Sequence, residues 1–135
     1  RQEERALRSR AEEILKVVNL DPMAQELAGR LSYGQQKLLE IGRVLMARPQ
    51  MILLDEPTAG INPTLIRQLV GVIRALKEKG IRIFLIEHNM PLVSEICERI
   101  LVMDSGRLIF SGLPDEARQD ARVIEAYLGR ENHAA

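Results

Sequence analysis

Apolar positions recur along this chain at two periods. Over residues 3–19, Ala6, Leu7, Ala11, Ile14, Leu15 and Val18 fall at helical spacing between charged residues, which predicts a helix with one apolar face. Asn19-Leu20-Asp21-Pro22 ends it with turn chemistry. A second helix is expected from Ser32. Ser32 and Gln35 have the S-x-x-Q spacing of a capping box, and Leu38, Leu39, Ile41, Gly42, Leu45 and Met46 follow as its apolar face. Arg48-Pro49 closes that helix.

The period then changes. Met51-Ile52-Leu53-Leu54 is a short continuous apolar run, the pattern of a strand buried on both faces of a parallel sheet. Asn62 and Pro63 suit the N-cap and first turn of a third helix, with Leu65, Ile66, Leu69, Val70, Val72, Ile73 and Leu76 inward and Gly80 as terminator. Ile81 to Ile86 reads as a second buried strand. Asn89 and Pro91 start a fourth helix. Ile100 to Met103 and Leu108 to Phe110 flank "DSG", a tight hairpin turn. A last helix is expected over Ala117 to Leu128, with a polar, frayed tail from Gly129. Strand and helix alternate in the middle of the chain, which predicts an α/β fold with a parallel sheet.

Composition narrows the function. The chain has 135 residues, sufficient for one domain with a modest core. Its formal net charge is zero, so bulk attraction to nucleic acid or to an anionic membrane is not expected. Trp is absent and aromatics make up 3% of residues, which removes the stacking platforms that single-stranded nucleic acid needs. Cys97 has no partner for an internal disulfide and reads as a small core residue in a reducing compartment. His88 and His133 are too few and too separated for a metal cluster. No apolar run approaches the roughly 20 residues that span a bilayer. The chain opens on Arg, with no signal-peptide pattern, and is expected to be a piece of a longer one.

Three stretches carry candidate chemistry, each with a plainer structural alternative. Asp55 and Glu56 directly follow an apolar strand, and ligands in open α/β sheets bind beyond such strand ends. One carboxylate there suits hydrated Mg²⁺ and the other suits a water aimed at a phosphate; the alternative is an acidic pair capping a helix in a surface loop. "LSYGQ" opens a helix, whose first amides and partial positive charge favour phosphate. Ser32 adds a hydroxyl, and Gly34 permits close approach to the backbone; the alternative is an ordinary capped helix. His88, just past the second strand, could meet a phosphate oxygen or cap a helix.

Taken in order, "LSYGQ", "MILLDEP", "AGIN" and "IEHN" resemble the C-terminal half of an ABC transporter nucleotide-binding domain over nearly the whole chain. "LSYGQ" is similar to the LSGGQ signature, "MILLDEP" to the Walker B strand and "AGIN" to the D-loop, and His88 stands at the switch-histidine position. The resemblance implies part of a P-loop NTPase (RecA-like) core with parallel strands, plus part of the α-helical signature subdomain. It divides the chain into 1–49 in the helical subdomain, 50–112 in the core and 113–135 as C-terminal helix and tail. It implies that Ser32, Gly34 and Gln35 contact the γ-phosphate of ATP held by an opposite subunit, and that Asp55 organises Mg²⁺ through water. Glu56 becomes the general base, His88 a γ-phosphate sensor and Asn62 a D-loop residue at the dimer interface. Two positions depart from the pattern. Tyr33 replaces the usual Gly of the signature, and is expected to leave the Ser32 hydroxyl and Gly34 backbone free. Asn62 stands where Asp is usual, which keeps capping and hydrogen bonding but loses the charge.

A narrower resemblance, through "LSYGQQKLLEIGRVLMARP", "AGINP", "IEHNM" and "VIEAYLG", is to ATP-binding subunits of bacterial branched-chain amino-acid importers. Subunits serving urea and other small polar solutes share much of it. It implies a second ATP-binding subunit and transmembrane permease subunits as partners, and a cytoplasmic position on the inner face of the membrane. The sequence has no Gly-Lys-[Ser/Thr], since none of Lys16, Lys37, Lys77 and Lys79 follows a glycine. The phosphate-cradling loop, the strand before it and the Q-loop are expected upstream of Arg1. Residues 1–135 alone are therefore expected neither to bind ATP tightly nor to hydrolyse it. Loss of a central strand is expected to expose apolar surface and promote self-association or exchange of elements. A non-catalytic module that pairs with an intact ATPase subunit is the alternative.

Overall fold

A computed structural model describes residues 1–131, with side chains through Tyr127. The chain forms two compact units, one spanning Arg1–Glu87 and the other beginning at His88.

In the first unit, α1 (Gln2–Val17) and α2 (Tyr33–Leu45) form where their apolar periodicity places them. Asn19, with φ of 58°, turns the chain out of α1. The amides of Leu20 and Asn19 donate back to the carbonyls of Leu15 and Lys16, so carbonyls left over at the helix end are satisfied. Val18 and Leu20 are buried at this corner, and single helical turns at Asp21–Met23 and Ala28–Arg30 lead on to α2. A Cβ on Gly42 would sit 3.3 Å from Ile14 Cγ2, so the glycine lets α1 pack closely on α2. Arg10 reaches across from α1 and donates to the Leu45 carbonyl at 2.9 Å, capping the end of α2.

Strand β1 (Met51–Asp55) leads through α3 (Pro63–Glu78) to β2 (Arg82–Ile86). The two strands are parallel, with Met51 beside Arg82 and Asp55 beside Ile86. A parallel pair requires a crossover, and α3 provides it. Its buried face, Leu69, Val70, Val72, Ile73 and Leu76, is the centre of the core. Beyond α3, the Ile81 amide donates to the Leu76 carbonyl and that of Gly80 to Lys77, which closes the helix before β2 begins.

The strands are not buried on both faces, as their apolar runs had suggested. Ile52 is 4% exposed, whereas Leu53 on the opposite face is 70% exposed, and Met51, Phe84 and Ile86 share that open face. A run of consecutive apolar residues specifies two faces that favour burial; it does not supply the layers that bury them. Here α3 covers one face only. The sheet is correspondingly small: β1 and β2 pair only with each other among the described residues.

The second unit holds α4 (Met90–Ile96), the antiparallel pair β3 (Ile100–Asp104) and β4 (Arg107–Gly112), α5 (Pro114–Ala117) and α6 (Ala121–Glu131). Ser105 and Gly106 both take positive φ, 48° and 77°, the two-residue hairpin turn that "DSG" predicted. Val93, Ile100 and Ala117 form this unit's core, with Met90, Val102, Phe110 and Cys97 packed against them. Cys97, expected in the core, is partly buried and packs against it.

The expected final helix is two helices. Glu116 turns its carboxylate back to the Leu113 amide at 2.9 Å and starts α5 early. Asp120 then accepts from the Arg122 amide and guanidinium, beginning α6 afresh. Helix α6 continues beyond Gly129, where a tail was expected. The remainder of that tail, including His133, lies outside the described residues.

Two outcomes follow from this packing. The space that a Cβ on Gly34 would fill is occupied by the Leu65 side chain of α3. Overpacking there costs about 1–3 kcal/mol, against up to about 1 kcal/mol gained from better helix propensity. Gly34→Ala is therefore expected to lower stability to urea by about 1 kcal/mol. The same change in a Leu65→Ala background should be neutral or stabilising, and equal destabilisation in both backgrounds would exclude the contact. Separately, the Arg122 guanidinium bonded to Asp120 lowers its carboxyl from 3.8 to about 2. A depressed folded pKa adds stability above the unfolded value and loses it as pH falls through the folded one. The α6 start should accordingly loosen between about pH 4 and pH 2. In Arg122→Ala, the Asp120 carboxyl resonance should titrate nearer the ordinary carboxylate range.

Candidate functional site

The first unit places two candidate segments at neighbouring helix starts. At α2, Ser32 Oγ accepts from the Gln35 amide at 3.3 Å, and Gln35 Oε1 accepts from the Ser32 amide at 2.9 Å. The predicted capping box is therefore formed. Both side chains are engaged in it. Ser32 is exposed, so its hydroxyl lies at the surface of a helix end whose first amides favour an anion.

Gly34 has a different local reason from the one its sequence context offered. It is buried beneath Leu65, and its missing side chain serves the packing of α2 on α3. Tyr33 is 57% exposed. Lys37 Nζ lies 5.2 Å from its ring centroid, within reach of a cation–π contact. Tyr33 Cε1 also lies 3.4 Å from where a Cβ on Gly60 would be. The aromatic side chain thus leans onto the loop between β1 and α3.

That loop carries the carboxylates. Asp55 is the last residue of β1 and projects from the open face with Leu53 and Met51, exposed to solvent. Glu56 leaves the strand with φ of 44°, a left-handed backbone that costs a non-glycine residue about 1–3 kcal/mol. Pro57, buried behind it, disfavours a right-handed helical turn at Glu56. Backbone hydrogen bonds help hold the turn: the Glu56 amide donates to the Ile86 carbonyl at 2.8 Å, and the Ala59 amide donates to the Glu56 carbonyl at 3.0 Å. Downstream, Asn62 Oδ1 accepts from the Leu65 amide at 3.0 Å, so Asn62 is the N-cap of α3.

Sequence reasoning missed Glu87 and Thr58. Glu87 Oε1 accepts from the Thr58 amide at 3.0 Å and also from the Thr58 hydroxyl. An acidic residue directly before His88, and a hydroxyl residue two after Glu56, were the available signals. Their pairing depends on β1 and β2 ending side by side, which single-sequence patterns do not show.

His88 belongs to the second unit. It is exposed and precedes Asn89, whose Oδ1 caps α4 by accepting from the Leu92 amide at 3.2 Å. The structure therefore brings Ser32, Gly34, Gln35, Asp55, Glu56 and Asn62 together in one unit and places His88 at the start of the other.

The donor chemistry fits hydrated Mg²⁺. Asp55 offers hard carboxylate oxygens at an exposed strand end, and Mg²⁺ takes one or two carboxylates while keeping water and phosphate oxygens. Among the described residues no group of three or more His, Cys, Asp or Glu side chains could hold a metal ion. Beside Asp55, α2 and β1 border an open groove of about 230 Å³, lined in part by Lys37, Glu40, Val44 and Leu53. No helix among the described residues is long and apolar enough to cross a membrane.

Comparison with known proteins bears on the family of the chain. A family model described as "ABC transporter" matches residues 1–59, and one described as "Branched-chain amino acid ATP-binding cassette transporter" matches residues 107–133. A high-affinity branched-chain amino acid transport ATP-binding protein of Pseudomonas aeruginosa is 42% identical over 96% of this chain and 51% of its own length. A lipopolysaccharide export system ATP-binding protein of Haemophilus influenzae is 32% identical over 92% of this chain and 52% of its own. The chain thus spans about half the length of the curated relatives it matches. Among solved structures, the ADP conformation of an ATP-binding cassette of an ABC transporter superposes with a TM-score of 0.84. That match is 37% identical and covers 92% of this chain and 50% of the other. A component of an ABC transporter complex from Clostridium perfringens gives 0.79 at 31% identity, over 97% of this chain and 54% of the other. The α/β fold, the parallel β1–α3–β2 unit and these matches establish that the chain belongs to the ABC transporter ATP-binding family, with its similarity directed to the branched-chain amino-acid members.

Proposed function

We propose that residues 1–135 are the C-terminal part of an ATP-binding subunit that couples ATP hydrolysis to import of branched-chain amino acids or a similar small solute. The observation that carries this reading is the turn at Glu56. A carboxylate held in left-handed backbone at a strand end, directly after Asp55, is costly to maintain, and such positions cluster at functional sites. The similarity to branched-chain amino-acid transport ATP-binding proteins supports the solute class.

The roles follow from placement. Ser32, Gly34 and the start of α2 would present a hydroxyl and backbone amides to the γ-phosphate of ATP held by an opposite subunit. Gln35 would join them by leaving its capping bond or by orienting Ser32 through it. Asp55 would hold Mg²⁺ through water. When bound, that ion would neutralise phosphate charge and orient the phosphate oxygens. Glu56 would accept the proton of the attacking water. His88 would contact the γ-phosphate, and Asn62 would lie at the dimer interface as an uncharged D-loop residue. Permease subunits would bind at the helical lobe containing residues 3–30, within the helical segment 1–49, at the inner membrane face in the cytoplasm. Residues 50–112 would form the core half and 113–135 the C-terminal helices and tail.

Residues 1–135 contain no Gly-Lys-[Ser/Thr], so a polypeptide bearing that loop has to supply the phosphate cradle. Mixing residues 1–135 with a separately expressed N-terminal half of a related subunit is expected to restore ATPase activity, measured as phosphate release. Glu56→Gln should abolish it, consistent with the 10²–10⁴-fold typical of a lost general base. Binding of the two halves without any ATPase would instead favour a non-catalytic pairing module. The open face of β1–β2 adds a second expectation. Residues 1–135 alone should associate increasingly with concentration in sedimentation experiments, and Leu53→Lys should suppress that association. A chain that stays monomeric at all concentrations would remove this expectation.

A further inference from the structure

We infer that Glu87 is a positioning residue for the loop that carries Glu56, an inference that rests on the ATPase reading above for its catalytic consequence. The loop from Glu56 to Ala59 meets the end of β2 at two adjacent residues. The Glu56 amide donates to the Ile86 carbonyl at 2.8 Å. The Thr58 amide, 3.0 Å away, and the Thr58 hydroxyl both donate to the same oxygen of Glu87. The first contact is part of the strand pairing. The second depends wholly on a side chain, and it is charge-assisted, which makes it stronger than a neutral pair.

The geometry gives Glu87 a specific task. Glu56 sits in left-handed backbone, a conformation that persists only where neighbours over-determine it. Downstream, the Ala59 amide bonds the Glu56 carbonyl, closing a four-residue turn with Pro57 and Thr58 at its centre. Thr58 is therefore the point at which an outside group can hold the turn in place. Glu87 holds it at two atoms, and the Tyr33 side chain lies against Gly60 just beyond. Freed at Thr58, the turn would lose its side-chain anchor to the end of β2, and the Glu56 carboxylate would sample more orientations. A small displacement of a base from its working geometry is enough to cost substantial rate.

The task needs an acceptor oxygen, not a transferable proton. Glutamine at 87 retains a carbonyl oxygen able to accept from both Thr58 groups, so the conservative variant should rescue positioning. A chemical role for the carboxylate would not survive that change.

The test has two arms. Native-state amide exchange, followed by NMR on residues 1–135, reads the turn without nucleotide. In Glu87→Ala the Glu56 and Thr58 amides are expected to exchange about ten- to hundredfold faster, the range for loss of a hydrogen bond to a charged group. Glu87→Gln should stay near wild type. If Glu87→Ala fails to fold, Thr58→Val decides, since it removes only the hydroxyl bond and should still accelerate exchange at Glu56. Unchanged exchange at Glu56 in a folded variant would overturn the inference. In the complemented ATPase, Glu87→Ala should lower kcat with KM for ATP nearly unchanged, and Glu87→Gln should restore it. A normal kcat in Glu87→Ala would also overturn it. If the wild-type complex shows no ATPase at all, the ATPase reading fails, and the exchange arm still decides whether Glu87 positions the turn.

Discussion

The parallel pairing of β1 and β2 is the constraint on which the rest of the first unit depends. A parallel pair joined by one crossover helix must end both strands at the same edge. Asp55 and Ile86 are therefore neighbours, and the residues that follow each strand meet there. Two contacts that shape the carboxylate turn use that juxtaposition: Glu56 to Ile86, and Thr58 to Glu87. Helix α3 enforces it from behind, because its buried face covers only the closed side of the pair. Were the strands antiparallel, Asp55 would lie opposite the start of β2, and no second strand end would hold the turn.

Much of this was legible in the sequence, for reasons that differ by element. Helix ends were read most accurately because caps are local chemistry. Ser32 with Gln35, Asn62 with Pro63, and Asn89 each bond an amide three residues ahead, and no distant contact is required. The Ser105-Gly106 turn is legible for the same reason. Strand burial was misread because it depends on layers, which a run such as "MILL" cannot supply for itself. The break between α5 and α6 escaped because the apolar periodicity continues across it. It was set by two polar side chains, Glu116 and Asp120, that bond the backbone locally. At the candidate site, the residue types and their order were legible. The Glu87–Thr58 contact, 29 residues apart in the chain, was not.

Gly34 shows how one residue can satisfy two demands that look alike in sequence. A glycine at a helix start suggests room for a ligand. Here the room beside its α-carbon is filled by Leu65, so the glycine is needed whether or not a phosphate binds. Its backbone amide remains part of the helix start, and the packing fixes where that amide points. Structural and functional demands reinforce each other at this position, and a substitution there would disturb both.

Capping carries a related tension. Ser32 and Asn62, two of the polar side chains proposed to act at a subunit interface, already accept hydrogen bonds from their own helices. A hydroxyl that accepts one bond can still donate its proton to a phosphate oxygen, so Ser32 can serve the cap and a ligand together. The Asn62 amide is similar: its oxygen caps α3, and its NH₂ group is left to donate. An aspartate would cap equally well but could offer only acceptors and a charge. Asn62 therefore adds a donor that Asp lacks, so a partner that meets this loop can present an acceptor such as a backbone carbonyl or a carboxylate. With Asp, only a donor or a cation would be matched. Asn at this position thus keeps the cap and widens what the loop can bind.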